Sequence, residues 1–80
     1  MTCIIQETEN RNYLREDGGW TSDFNEALEF TTIRQTLEHK RRLNLPEATV
    51  LVFRDKHVYR LEQGTLVPLR PNLELVPVDL

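Results

Sequence analysis

Thr49-Val50-Leu51-Val52-Phe53, then Arg54-Asp55-Lys56, then His57-Val58-Tyr59-Arg60-Leu61 is the stretch whose reading decides the fold. Its first segment is rich in β-branched and aromatic residues and is the clearest strand in the chain. Arg54-Asp55-Lys56 is polar and short, so it reads as a tight reversal, with His57 to Leu61 returning as the next strand. Gln63-Gly64 supplies a second hairpin turn, and Thr65 to Leu69 continues as a third strand of the meander. Beyond it, Pro68, Pro71 and Pro77 rule out a central strand, because proline lacks the N–H that a ladder needs. Residues 70–80 still carry Leu73, Leu75, Val76, Val78 and Leu80, so this tail is not a solvated linker. It is expected to lie extended over the domain, to pair at a sheet edge, or to dock on a second copy.

Upstream of the meander the punctuation is helical. Thr32 with Gln35 has the spacing of an N-terminal cap, and a helix from there runs through Ile33, Leu37 and His39 to about Leu43. Lys40, Arg41 and Arg42 fall in its last turn, where positive charge favours the negative end of the macrodipole. Asn44 suits a left-handed C′ position, and Leu45-Pro46 ends the helix. Asp23 with Glu26 repeats the capping spacing one step earlier, so a turn of helix is expected ahead of the main one. Further upstream, Cys3 to Glu7 and Tyr13 to Arg15 read as a first hairpin around polar residues 8–12, closed off by the Asp17-Gly18-Gly19 turn.

The order is therefore ββ-α-βββ: an α+β domain over residues 1–69, an antiparallel sheet with one main helix packed on one face, and an extended C-terminal tail over 70–80. The helix face is only weakly apolar. Its row is Ile33, Thr36, Lys40 and Leu43, with Leu37 beside it, so Lys40 must snorkel and the core leans on Trp20, Phe30, Phe53, Tyr13 and the strand aliphatics.

The run Tyr13-Leu14, Asp17-Gly18-Gly19-Trp20-Thr21, Asp23, Glu26-Ala27, Phe30, Thr32 and Leu43-Asn44-Leu45 resembles a pattern found in many small, mostly uncharacterised bacterial and phage proteins. The resemblance covers about 40% of the chain. Its residues are turn glycines, caps and core aromatics, so it implies the fold and carries over no catalytic or binding residue. The family commonly has glycine at the position of Asn44, and small apolar residues near Arg34, Thr36 and Lys40.

Eighty residues, 39% of them hydrophobic and 29% charged, make one small globular domain and exclude a large enzyme or a multidomain receptor. With Cys3 as the single cysteine, no disulfide reinforces it. No apolar run is long enough to span a bilayer, and the N-terminus lacks the basic and apolar regions of a signal peptide, so the expected compartment is the cytoplasm. The net charge of −3 conceals segregation. Residues 1–30 carry two basic and seven acidic side chains, residues 31–60 seven basic and three acidic, and residues 61–80 one basic and three acidic. Such segments either fold onto each other or present a basic face to an acidic partner.

Each chemical possibility has a plain structural counterpart. Cys3 with His39 or His57 is the only thiol–imidazole combination, and a nucleophile needs the two within hydrogen-bond reach; a small buried hydrophobe on a strand is the simpler reading. Two histidines eighteen residues apart match no zinc spacing, so neither a metal site, a catalytic residue nor a cofactor is expected. Lys40, Arg41, Arg42, Arg54, Lys56 and Arg60 are the nucleic-acid candidates, with Tyr59 available for stacking. Against them stand a pI near 5.3 and the wrong end of the helix dipole for phosphate. Pro68 and Pro71 form a single P-x-x-P, a weak signal for proline recognition. Leu73, Leu75, Val76 and Val78 are the candidate partner contacts. The sequence thus favours a small non-enzymatic accessory or adaptor module acting through protein contacts, with a homodimer in view. A weak nucleic-acid binder is the alternative.

Overall fold

A computed structural model of the chain describes residues 1–69. The α+β architecture, an antiparallel sheet with one α-helix, is as the sequence predicts, and the described residues form six strands. In chain order these are β1 (Thr2–Glu7), β2 (Tyr13–Leu14), β3 (Trp20–Thr21), a 3₁₀ turn (Phe24–Glu26), α1 (Ile33–Arg42), β4 (Ala48–Arg54), β5 (His57–Glu62) and β6 (Thr65–Pro68). Across the sheet the order is β3-β2-β1-β4-β5-β6. The two hairpin systems meet along β1 and β4, which pair over their whole length from Thr2↔Phe53 to Glu7↔Ala48.

One strand exceeds the expected count. The Asp17-Gly18-Gly19 turn returns the chain so that Trp20 and Thr21 pair with Leu14 and Tyr13. Gly18 sits at φ +91, which glycine alone reaches without strain, while the Asp17 carboxylate accepts from the Gly19 amide at 2.9 Å. The chain then crosses back, and Phe30 exchanges both backbone hydrogen bonds with Cys3, each at 2.8 Å.

Both later turns are two-residue reversals of the kind that suits sheet twist. Asp55 and Lys56 take φ of 52 and 69 between the paired Arg54 and His57, and Gln63 and Gly64 take 52 and 83 between Glu62 and Thr65. At the end of α1, Asn44 takes φ 56. Its amide reaches the Arg41 carbonyl, and the Leu45 amide reaches the Lys40 carbonyl. Those two bonds make a Schellman closure that satisfies carbonyls the helix leaves free.

Side chains alternate along a strand, so register assigns the faces. Cys3, Val50 and Val52 form the centre of the α1 side, with Phe30, Ile33, Tyr59, Leu61 and Leu66 packed around them. On the opposite side Ile4 lies across from Leu51, and both are buried. There the 3₁₀ turn lays Phe24 between Tyr13 and Phe53, with ring centroids 5.6 and 5.2 Å away. The aromatics therefore ring the core. Among the described residues the buried set is Cys3, Ile4, Ile5, Leu14, Val50, Leu51, Val52 and Thr36, and the weight expected of Trp20, Tyr13, Phe30 and Phe53 rests on strand aliphatics.

Candidate functional site

A helix is about 10 Å across and strands lie about 4.8 Å apart, so one helix covers roughly two strands. The helix α1 lies chiefly over β1 and β4. On its far side the floor continues across β5 and β6, where Tyr59, Leu61 and Leu66 face the α1 side half-buried. The adjoining wall is the flank of α1. Leu37 leaves 42% of its surface exposed there, and Leu37 and Lys40 share a cleft with Val50, Leu61 and Gly64. Around the outer side of that flank a shallow groove of about 770 Å³ runs from Ile33 past Leu37 and Arg41 to Leu45 and Pro46. The result is an apolar ledge with a floor of β5 and β6 and a wall of α1.

The ledge ends at an open strand edge. β3, the outer strand on the other side of the sheet, is two residues long and too short to template pairing. β6 presents Thr65-Leu66-Val67-Pro68 with no charged side chain, and only Pro68 interrupts its row of backbone groups. From β6 the chain passes to Leu69, whose amide donates to the Val58 carbonyl at 3.0 Å. Leu73, Leu75, Val76 and Val78, the expected partner contacts, lie outside the described residues.

The basic candidates are not brought onto one surface. Lys40, Arg41 and Arg42 stand at the end of α1, where Lys40 lies beside the start of β4 and the Gln63-Gly64 turn, Arg41 beside Leu45 and Pro46, and Arg42 near Glu29 and Phe30. Arg54 and Lys56 lie at the other end of β4, about 20 Å away at 3.3 Å per residue. Register places Arg60 opposite Leu51 and Val67, on the face away from α1, and its guanidinium pairs with Glu62. Arg54 pairs with the neighbouring Asp55 at 3.9 Å.

The Cys3 thiol has no exposed surface, and burial pushes its pKa above the ordinary 9.0, partly offset by a hydrogen bond with Thr36 and by the positive N-terminus. Its partner is thus a hydroxyl on α1. His39 instead stacks near Phe30, at 5.2 Å between ring centroids, and His57 lies near Tyr59. A thiol kept dry and protonated in this way is a poor nucleophile. Among the described residues no three His, Cys, Asp or Glu side chains gather as metal ligands would, and no helix is long and apolar enough to cross a membrane.

With this geometry the chain was compared with known proteins. No family model, no curated protein and no solved structure matches it.

The ledge is the feature that residue-by-residue reading misses. Leu37, Leu61 and Leu66 each look like ordinary core positions in sequence. The signal that finds them is the mismatch between the number of strands and the width of a single helix.

Proposed function

We propose that the protein is a small non-enzymatic contact module that works in the cytoplasm as a homodimer, with Leu73, Leu75, Val76 and Val78 as its partner contacts. The observation that carries this reading is the uncharged β6 edge beside a half-covered apolar floor. Folded proteins blunt such edges with charge, proline, brevity or cover; this four-residue edge carries one proline, Pro68, and no charge. The apolar residues of 70–80 follow directly from that edge in the chain. A single cysteine, buried and reduced, suits a reducing compartment.

Sedimentation equilibrium of the nuclease-treated full chain tests the reading. The expected result is a concentration-dependent species at twice the 9.5 kDa chain mass. Its dissociation constant should change little as salt rises, because apolar contacts are not screened, and replacing Leu73 and Leu75 by Asp should remove it. A monomer at every concentration overturns the reading. So does association that collapses with salt or follows added nucleic acid, which moves the function to the basic residues.

A further inference from the structure

We infer that the ledge between α1 and the β5–β6 hairpin is the receptor for residues 70–80 of a second copy, so that two chains exchange tails reciprocally. The inference rests on the self-association proposed above and adds where the tail goes.

The ledge is sized for an extended segment. Its floor beyond α1 is two strands wide, about 10 Å, and six residues of β5 make it about 20 Å long. The eleven residues 70–80 span at most about 36 Å when extended, enough to cross from a neighbouring copy and still line the whole ledge. The direction of exit favours a neighbour over the chain's own ledge. β6 runs away from the Gln63-Gly64 turn, and its last paired residue, Pro68, lies opposite Tyr59. Leu69 continues that pairing through its bond to the Val58 carbonyl, so covering the ledge of its own chain would take a reversal beyond Leu69.

The chemistry of the two parts matches. The tail offers Leu73, Leu75, Val76 and Val78 to a floor of Tyr59, Leu61 and Leu66 and a wall of Ile33 and Leu37. Its acidic side chains are Glu74 and Asp79, whereas the charged side chain that lines the cleft between α1 and the floor is Lys40. Complementary sign of this kind sets register and excludes wrong partners.

The test uses full-length chains carrying one change each. Leu37→Glu alters the wall at an exposed, helix-compatible position, and Leu75→Asp alters the tail. Far-UV circular dichroism checks that both fold, and Lys40→Glu serves as a second wall variant if Leu37→Glu does not. Each change alone is expected to raise the dimer dissociation constant at least about ten-fold, as loss of a central interface side chain does. An equimolar mixture is expected to form a heterodimer of intermediate affinity, because an intact tail then meets an intact ledge once. If Leu75→Asp dissociates the dimer while both wall variants leave it intact, the tail docks elsewhere; this inference falls and self-association stands. Failure of the mixture to form heterodimer also overturns reciprocal exchange. A monomeric unmodified chain overturns this inference and the proposed homodimer together.

Discussion

Among the described residues Thr36 is the only polar side chain buried in the aliphatic core, and it hydrogen-bonds the Cys3 thiol, whose protonated state burial favours. Its hydroxyl donates to the Thr32 carbonyl at 2.8 Å and also meets the Cys3 thiol, so a polar group at 0% exposure is satisfied on both sides. Because the folded thiol titrates above 9.0 and the unfolded one near it, the folded state holds the proton longer. The associated stability is complete below the unfolded pKa and is lost as pH rises through the folded value. Urea midpoints should therefore be insensitive to this residue at neutral pH and fall above about pH 9, a decline that Cys3→Ala should lessen. The same burial predicts that Cys3 reacts with a thiol reagent at pH 8 at least about ten-fold more slowly in the folded chain than in guanidinium; equal rates would show an open thiol. Lys56 is a different residue-scale case. At φ 69 it occupies a conformation that suits glycine, so Lys56→Gly is expected to stabilise the protein by about 0.5–1 kcal/mol in denaturant unfolding.

At the scale of elements, the helix is defined by its ends more than by its face. Thr32 accepts from the Gln35 amide at 3.1 Å, and the Asn44 and Leu45 amides close the other end. Thr32→Ala should cost about 1 kcal/mol, read as a lower melting temperature with the far-UV spectrum otherwise kept. These ends were legible in the sequence because capping is local: Thr32, Asn44 and Pro46 announce them without any tertiary contact. The two hairpins were legible for the same reason, since Asp55-Lys56 and Gln63-Gly64 sit between β-branched runs. What local chemistry could not supply is which reciprocal half of each cap forms. The Glu26 carboxylate takes the Thr21 hydroxyl, and the Gln35 side chain takes the Thr31 hydroxyl, rather than closing back on the backbone of Asp23 and Thr32. Nor could it supply the third strand or the pairing of Phe30 with Cys3, which join residues brought close only by the finished sheet.

At the scale of the molecule, the six strands of the described residues share one ten-residue helix, and that imbalance leaves part of the apolar floor half-buried. A chain of this size buries only about 60–65% of its unfolded surface, so an uncovered apolar floor is a large part of what it has left to gain. Phe24 answers the same problem on the opposite face, where it folds over Phe53 from the 3₁₀ turn and remains 40% exposed. On the α1 side the described residues provide no such cover over β5 and β6, and the chain that follows β6 is apolar. The candidate tail contacts are an expectation from composition and lie outside the described residues; the apolar ledge was not legible, because it exists only once β5 and β6 extend past α1. The most direct measurement of this account is a set of methyl ¹H–¹³C spectra of the full chain across a dilution series. The account predicts concentration-dependent shifts confined to Ile33, Leu37, Leu61 and Leu66 and to the methyls of residues 73–78. Shifts confined instead to Ile4, Leu51 and Val58 on the opposite face, or spectra that do not change with concentration, would contradict it.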